Sequence, residues 1–360
     1  MKNKEVKGII MKNQKFAVLG SGNGARAWCA QIAAKGHPVM MWEPLEETDD
    51  YKKIREEKEM FLEGDMSLGG KLAGATMDIA EAMDGADFLL VIVPSFAHKP
   101  IFEKMIPHLE DGQNIVVVPG NFSGLRLRRM MEQMGVKKDI TVSETASMPY
   151  ACRIDKYNTV MVFKRKFQMK MGTSPNTRNA EMLDVMNDIF EGYVEYLPAK
   201  NLLEIDFENI NYTLHPFPVL LNYGEIEKNG KSYRHYIDGI TPEISKKMWK
   251  MDEERLAIGK KLGVDLQDCL SQLKMYYGQN DTTTIYDFVQ SEDSPYKDLV
   301  GQNIMGRYIA EDVPGVVVPI MLLAEKAGMD APISRLVAEL SSLLHDKDYI
   351  NGGTTLELLG

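Results

Sequence analysis

The sequence contains 360 residues, enough for about two domains of ordinary size. Hydrophobic residues make up 44% and charged residues 26%, which is typical of folded globular proteins and excludes a chain that is disordered throughout. Basic residues number 42 and acidic residues 52, so the formal net charge is −10. This balance argues against nucleic acid as a partner, because binding to phosphates requires clustered Lys and Arg.

The cysteines, Cys29, Cys152 and Cys269, are odd in number and far apart in the sequence. This spacing predicts no disulfide framework and favours a reducing, cytoplasmic location. The six histidines form no pair with metal-ligand spacing, so we expect no metal. No stretch approaches the ~18 to 20 apolar residues needed to span a bilayer, so we expect no membrane association.

The first half of the chain alternates short apolar runs with helical patterns, as in a doubly wound parallel sheet. The predicted strands are residues 15–20, 38–42, 87–93 and 114–118. The segment 139–166, with its run TVMVFKR, is expected to extend this sheet, and the charged span 48–71 to form an excursion between strands. The pattern indicates a Rossmann-like α/β domain.

After about Leu197 strand-like runs nearly vanish and helical spacing with capping signals takes over. Predicted helices cover residues 241–262, 315–327 and 330–344. We therefore expect an N-terminal extension over 1–14, a dinucleotide-binding domain over 15–198 and a mostly α-helical substrate and catalytic domain over 199–360.

A glycine-rich turn follows the first predicted strand: Gly20, Ser21, Gly22, Asn23, Gly24 and Ala25. Gly20 permits a tight turn, Gly22 lets a pyrophosphate approach the backbone, and the small Ala25 lets the helix lie close to the strand. The helix start, with Asn23 and Gly24, offers unpaired N–H groups to an anion. The alternative is a glycine turn in a fold that binds no nucleotide.

Glu43 ends the second predicted strand, 23 residues after Gly20. A carboxylate there accepts hydrogen bonds from both ribose hydroxyls of NAD and repels a 2′-phosphate. NADP remains open through nearby basic side chains: Lys52, Lys53 and Arg55. Pro94 and Ser95 follow a later strand at the same sheet edge, where the nicotinamide half of the cofactor would lie.

His215 is followed by two prolines, Pro216 and Pro218, which favour display of the imidazole at a helix entrance instead of burial along its face. Asn211 lies four residues earlier, within hydrogen-bonding reach if the turn is helical. Histidine exchanges protons readily near neutral pH. A core histidine that hydrogen-bonds a carbonyl is the alternative.

Arg307 and two carboxylates, Glu311 and Asp312, precede another predicted helix. An arginine fork binds a substrate carboxylate at two points, and an aspartate can hold a distant histidine in one tautomer and stabilise its cation. A surface loop of ion pairs is the alternative.

Taken together, the motifs resemble the octopine, nopaline and opine dehydrogenases. They occur in the family's order: residues 20–25, 94–98, 144–145, 149–153, 215–216, 221–222, 238–242, 307–308 and 312–314. The resemblance extends from Lys15 to residues 355–357. Ala25 departs mildly from it, because many relatives carry glycine there.

The resemblance implies an NAD(P)H-dependent reductive condensation of an α-keto acid, often pyruvate, with the amino group of an amino acid. It implies His215 as the catalytic histidine, Asp312 as its dyad partner and Arg307 as the ligand of the keto-acid carboxylate. Glu144 would face the amino acid. Substrate-side support would come from further residues: Asn211, Asn222 and Arg153.

Two other functions remain open from the sequence: a dehydrogenase of a simple 2-hydroxy or sugar acid with a related helical domain, and an NAD-binding sensor without turnover. The identities of the keto acid and amino acid also stay open. The apolar helices of the second half can pack internally or form a homodimer.

Overall fold

A computed structural model describes residues 14–354. The predicted extension over 1–14 lies outside the described residues except for Gln14, and so does the part of the resemblance over 355–357. The chain divides into two compact units between Leu202 and Leu203. The domain boundary predicted at 198/199 falls four residues earlier.

The first unit contains all the strands of the described chain. They are β1 (Phe16–Leu19), β2 (Val39–Trp42), β3 (Glu59–Gly64), β4 (Leu68–Lys71), β5 (Gly74–Thr76), β6 (Phe88–Val91), β7 (Asn114–Val117), β8 (Thr141–Thr145), β9 (Tyr150–Lys156), β10 (Thr159–Arg165), β11 (Gln168–Ser174) and β12 (Glu195–Pro198). Its helices are α1 (Asn23–Ala34), α2 (Asp49–Glu57), α3 (Ile79–Met83), α4 (His98–Met105), α5 (Ser123–Gln133) and α6 (Asn179–Ile189). Short 3₁₀ turns cover Ser95–Ala97, Ile106–His108 and Asn176–Arg178.

The main sheet has the order β12-β11-β8-β7-β6-β1-β2-β5. All neighbours are parallel except β11, which runs antiparallel to β8. The central strands β1, β6 and β7 are apolar and almost entirely buried, as expected where both faces are covered. The chain leaves β1 toward β2 on one side and later returns to β6 on the other. The doubly wound prediction is therefore confirmed, with its topological switch point between β1 and β6.

A second sheet, of order β4-β3-β10-β9, corrects one sequence expectation. The run TVMVFKR forms β10, which pairs with β3 and β9 and does not extend the main sheet. The span 48–71 is an excursion between the main-sheet strands β2 and β5, as predicted, and it contains α2, β3 and β4. β3 and β10 pair in parallel although about a hundred positions separate them, so local pattern carried no signal for this pairing.

Helix α1 contacts strands of both sheets. Its sequence is accordingly apolar around most of its circumference, and residues 25–33 are all buried. Arg26 is the charged exception. Its guanidinium donates to the carbonyl oxygens of Ser21 (2.8 Å) and Tyr157 (2.7 Å), which satisfies the buried charge.

The second unit is helical. Its α-helices are α7 (Leu202–Phe207, which begins at the last residue of the first unit), α8 (Asn211–Leu214), α9 (Pro216–Leu221), α10 (Tyr223–Asn229), α11 (His235–Gly239), α12 (Pro242–Lys261), α13 (Cys269–Tyr277), α14 (Ile285–Gln290), α15 (Arg307–Ala310), α16 (Val318–Lys326), α17 (Pro332–His345) and α18 (Tyr349–Gly352). A π-helical turn covers Val313–Val317.

The longest predicted helix is confirmed in detail. Thr241 caps α12 by accepting a hydrogen bond from the Ile244 N–H, and Pro242 occupies the first helical position, where its missing N–H costs nothing. The helix predicted over residues 330–344 is α17, which begins two residues later at Pro332 and has no side-chain cap at Ala331.

Cys29, Cys152 and Cys269 are free thiols and are buried. Burial raises the pKa of all three, that of Cys152 to about 12. They pack as small apolar side chains. Among residues 14–354, no helix combines the length and apolar character needed to cross a membrane.

Candidate active site

The glycine-rich turn leaves β1 at the switch point of the main sheet. Gly20 has a φ of +137°, and a Cβ there would lie 2.7 Å from the Ile92 carbonyl oxygen, so this position requires glycine. At Gly24 a Cβ would meet Met148 at 2.5 Å. Ala25 is fully buried, as its predicted role in close helix packing requires.

Gly22 differs from its two neighbouring glycines, because a Cβ there would meet nothing within 4 Å. It is the N-cap of α1 and gives that helix no side-chain cap. The Asn23 side chain is used elsewhere, since its Oδ1 accepts from the Ile154 N–H at 2.8 Å. The first N–H groups of α1 and open space beside Gly22 fit a bound pyrophosphate.

Glu43 follows β2, and its carboxylate is held on both oxygens. The Ser21 hydroxyl donates to Oε2, and the Leu45 N–H donates to Oε1 at 2.8 Å. The side chain at the end of β2 is thereby joined to the glycine-rich turn after β1. This arrangement fits a ribose with free hydroxyls next to a pyrophosphate.

Pro94 and Ser95 come after β6, the strand on the other side of the switch point. Ser95 begins a 3₁₀ turn and is 5% exposed. His98, at the start of α4, is completely buried and stacks on Phe102. Burial lowers the pKa of His98 to about 3.

Glu144 lies at the carboxyl end of β8 and is fully buried. Its Oε1 accepts from the Ser123 hydroxyl at 2.9 Å and from the Gly124 N–H. The carboxylate thus sits at the N-terminus of α5, where the helix dipole favours negative charge. Both of these hydrogen bonds tie the carboxylate to the first residues of α5.

In the second unit, α8 and α9 meet at His215, which ends one helix and precedes the next. Nδ1 of His215 lies 2.8 Å from Oδ2 of Asp312, although 97 positions separate the two residues. Only 10% of the His215 side chain and 6% of that of Asp312 is exposed. The imidazole is therefore at a helix entrance, as the prolines predict, but it is buried there and not displayed.

Burial has opposite effects on the two members of this pair. It lowers the pKa of His215, which Glu311 raises and Arg307 lowers further. It raises the pKa of Asp312, against the effect of Arg307 and of a hydrogen bond from Asn211. The lowered pKa disfavours a charged imidazolium and the raised pKa disfavours a charged carboxylate. The two groups therefore titrate as a coupled pair that shares one proton.

Asn211 lies beside the pair but contacts a different member than expected. Its Nδ2 donates to Oδ1 of Asp312 at 3.4 Å, and only its backbone carbonyl accepts from the His215 N–H. The two oxygens of Asp312 are therefore used by Asn211 and His215. This leaves Oδ2 fixed against Nδ1.

Arg307 begins α15, and 67% of its side chain is exposed. Its Nε lies 2.5 Å from Oε2 of Glu311, one helical turn later. Glu311 is buried and holds the guanidinium through its Nε. A guanidinium held in this way can still offer its two terminal nitrogens to a carboxylate.

Asn222 lies between α9 and α10 and ties the local backbone together. Its Nδ2 donates to the carbonyl oxygens of Pro218 (2.8 Å) and Gly239 (3.0 Å). These bonds occupy both amide hydrogens, so a contact with substrate would have to use Oδ1.

The sequence reasoning missed the aromatic side chains around His215. The Tyr236 hydroxyl lies 2.8 Å from Nε2 of His215, and the Tyr308 ring stacks on the imidazole with 3.7 Å between centroids and 9° between planes. Tyr308 belongs to the motif of residues 307–308, and Tyr236 lies two positions before the motif of residues 238–242. Their position in or beside these motifs was the only indication in the sequence that they could belong to the site.

Two family models match parts of this chain. Residues 198–345 match the family model for the α-helical domain of NAD/NADP octopine/nopaline dehydrogenase, and residues 15–142 match the N-terminal model of NAD-dependent glycerol-3-phosphate dehydrogenase. Within the described residues, no group of three or more His, Cys, Asp or Glu side chains is arranged to hold a metal ion.

An opine dehydrogenase from Arthrobacter sp. (strain 1C) is 31% identical over 354 residues, which is 98% of this chain and 96% of that protein. A solved octopine dehydrogenase with NADH and L-arginine has a TM-score of 0.79 at 20% identity and covers 96% of this chain and 94% of its own. A yersinopine dehydrogenase with bound NADP⁺ has a TM-score of 0.70 at 15% identity over 96% of this chain and 95% of its own.

The full-length match to the Arthrobacter protein establishes the family, and the solved structures agree in fold. The nucleotide-binding motif and the His215–Asp312 pair occur in one chain, in the expected order. This protein belongs to the octopine, nopaline and opine dehydrogenase family of NAD(P)-dependent oxidoreductases that act on CH–NH groups.

Proposed function

We propose that this chain catalyses the reductive condensation of an α-keto acid with the amino group of an amino acid, with NAD(P)H as reductant and His215 as acid and base. The observation that carries the proposal is the buried hydrogen bond between Nδ1 of His215 and Oδ2 of Asp312 in a member of this family. Such a pair holds an imidazole in one tautomer with Nε2 available for proton exchange.

His215 would act at two points. Its protonated Nε2 would polarise the keto-acid carbonyl while the amine attacks, and would then protonate the departing hydroxyl as the carbinolamine loses water to form the imine. Asp312 would make the imidazolium less costly in a site from which water is largely excluded. Asn211 would keep the Asp312 carboxylate in register.

Arg307 is proposed to bind the keto-acid carboxylate. Glu311 holds its Nε edge, which leaves the terminal nitrogens as a fork for two carboxylate oxygens. Fixing the keto acid in this way turns amine attack into an oriented step, an effect worth up to ~7 to 11 kcal/mol.

Three further residues are proposed to support the binding of the cofactor and the amino acid, two of them by holding nearby backbone in place. Glu144 would act toward the amino acid by holding the start of α5 in place, because its carboxylate is already engaged there. Asn222 would position the α9–α10 junction and offer Oδ1 alone. Ser95 would border the nicotinamide half of the cofactor.

The NAD(P)-binding residues are proposed to be those of the glycine-rich turn and the strand ends beside it. Listed together they are Gly20, Gly22, Asn23, Gly24, Ala25, Glu43, Pro94 and Ser95. Bound NAD(P)H would supply the hydride that reduces the imine carbon. The Glu43 carboxylate favours NAD over NADP, because a 2′-phosphate would bring a second negative charge against it.

Two further points belong to the proposal. A cytoplasmic location is supported by three buried cysteine thiols that form no disulfide. A homodimer is supported only by the apolar helical composition of the second unit, and analytical ultracentrifugation at micromolar concentration tests it directly.

The function is tested by following NADH oxidation with a panel of α-keto acids, each alone and each with the twenty amino acids, and by identifying products by mass spectrometry. We expect consumption that depends on both substrates and a product with a secondary amine. NADH consumption with keto acid alone would identify a simple hydroxy-acid dehydrogenase instead. Cofactor binding without turnover of any mixture would identify a sensor.

A further inference from the structure

Both ring nitrogens of His215 are hydrogen-bonded within the second unit. When Asp312 is ionised its carboxylate only accepts, so Nδ1 carries the hydrogen in that bond. In the neutral imidazole Nε2 is then the acceptor, and the Tyr236 hydroxyl donates to it across 2.8 Å. Nε2, the atom that the proposed function uses for proton transfer, therefore has Tyr236 as its immediate partner.

A second hydroxyl continues this arrangement. The Tyr308 hydroxyl donates to that of Tyr236 across 3.4 Å. Tyr236 is 3% exposed, whereas Tyr308 is only half-buried. The three groups form a line from a partly exposed phenol, through a buried phenol, to the buried imidazole of His215.

The surrounding side chains hold this line in place. The Tyr236 ring stacks on Tyr296 with 4.1 Å between centroids, and the Tyr308 ring stacks on His215. His235, next to Tyr236, donates from Nε2 to the Leu214 carbonyl oxygen at 2.8 Å and so joins α11 to the residue before His215. Fixed rings keep the Tyr236 hydroxyl at hydrogen-bonding distance from Nε2, and the Tyr308 hydroxyl has to approach Tyr236 by only about 0.5 Å to reach an ordinary O–H···O distance.

The proposed reaction requires a proton on His215 in every cycle. A keto acid, an ammonium group, NADH and one proton give a secondary ammonium product, NAD⁺ and water. The proton enters as His215 protonates the departing hydroxyl, so the imidazole must be protonated again before the next turnover. With 10% of its side chain exposed and both nitrogens bonded, His215 has little direct contact with water.

We infer that Tyr236 and Tyr308 are positioning residues that form a two-hydroxyl relay, through which the imidazole of His215 recovers its proton between turnovers. This inference rests on the proposed function, because it gives His215 the acid role there. The observation that carries it is the continuous line of donors from Tyr308 through Tyr236 to Nε2.

The relay moves one proton and leaves both phenols unchanged. Tyr236 passes its hydroxyl proton to Nε2 as Tyr308 passes its own to the Tyr236 oxygen, and a hydronium ion or buffer acid in the solvent returns a proton to the Tyr308 oxygen, so that the solvent supplies the one proton that the reaction consumes. One N–H bond forms on His215, which becomes imidazolium paired with Asp312. The two transfers occur together, because burial raises the pKa of Tyr236 well above its ordinary value and disfavours a free phenolate.

The test compares Tyr236→Phe, Tyr308→Phe and the double variant, with the wild-type protein and Tyr296→Phe as references. Tyr296→Phe is the matched control. It removes a hydroxyl from the same aromatic cluster, but that hydroxyl bonds to Tyr277 and not to Tyr236, Tyr308 or His215. We measure kcat and KM for reduction, solvent deuterium isotope effects on kcat, and thermal unfolding. His215→Ala is included to test the proposed function separately.

We expect each relay variant to lower kcat by about tenfold or more, with KM for the keto acid within about threefold of wild type. The double variant should be no slower than the slower single variant, because both hydroxyls lie on one route. The deuterium isotope effect on kcat should rise in the relay variants and stay unchanged in Tyr296→Phe.

Three results would overturn the relay. They are a wild-type kcat in Tyr236→Phe, losses that multiply in the double variant, or an equal loss in Tyr296→Phe. If His215→Ala is inactive while Tyr236→Phe and Tyr308→Phe are normal, the relay fails and the proposed function stands. If His215→Ala is active, the proposed function itself fails.

Discussion

Oδ2 of Asp312 lies 2.8 Å from Nδ1 of His215, and we propose that the two residues act as a single protonating unit. Asp312→Asn keeps the shape of the side chain but allows an amide to face Nδ1, which permits the opposite tautomer. We expect kcat to fall by roughly 10² to 10⁴ with little change in melting temperature. Steady-state kinetics and thermal unfolding check this. Asp346→Asn, an exposed aspartate in the same unit, is the control, and a variant that keeps more than a tenth of the activity would contradict the dyad.

Replacing Arg307 by Lys should raise KM for the keto acid by about tenfold or more and change kcat less. A lysine ammonium carries the charge but cannot offer the planar fork, and it loses the contact through Nε to Glu311. Initial rates at varied keto-acid concentration measure the effect. Arg335→Lys, at an exposed ion pair in the same unit, should leave KM unchanged. An unaltered KM in Arg307→Lys would remove this residue from carboxylate binding.

Replacing Glu43 by Ala should reduce the preference for NADH over NADPH, because it removes the carboxylate that repels a 2′-phosphate. The ratio of kcat/KM for the two cofactors is the measurement, and we expect it to fall by at least about tenfold. Glu46→Ala, three positions later and exposed, is the matched control. An identical ratio in Glu43→Ala and wild type would exclude ribose recognition by this side chain.

The two glycines Gly20 and Gly22 should respond differently to alanine. Gly20→Ala should destabilise the protein by about 1 to 3 kcal/mol, since its φ is positive and its Cβ would press on the Ile92 carbonyl. Gly22→Ala should fold with a melting temperature near wild type but bind NADH more weakly. NADH fluorescence titration and thermal unfolding separate the two effects, and equal NADH affinity in Gly22→Ala and wild type would argue against pyrophosphate binding there.

Acid should destabilise the protein through His98 and His235. Burial lowers the pKa of each to about 3 in the folded state, against about 6.5 in an unfolded chain. The unfolded chain binds more protons between these values, so stability is complete above about pH 6.5 and declines as the pH falls toward 3. Each residue contributes up to about 1.4 kcal/mol per pH unit. Urea unfolding at pH 7.5 and 5.5 measures the free energy of unfolding at each pH. The decrease between the two should be smaller in His98→Gln than in the wild type, and an equal decrease would contradict the role of His98.

The fold was predictable wherever the signal was local. The apolar run of β1, the glycines after it and the capping Thr241 each specify a structure over a few residues. The pairing of β3 with β10 was not predictable, because a strand's partner depends on packing across the fold.

The site shows the same limit. His215, Asp312 and Arg307 were predicted as site residues from their motifs, but the burial of His215 and the contact of Tyr236 with Nε2 depend on how α11 packs against α9. The resemblance implied that Glu144 faces the amino acid, whereas its hydrogen bond from the Gly124 N–H at the start of α5 could not be read from the motif. Side-chain direction at such positions follows from tertiary contacts that spacing along the sequence does not encode.

The buried thiols have a practical consequence. Cys29 and Cys152 belong to the first unit and Cys269 to the second, and a disulfide reagent in solution can modify them only when the surrounding structure opens. The rate of thiol labelling under native conditions, resolved by mass for each cysteine, would therefore measure how fast each unit opens. No cysteine has to be introduced for this experiment.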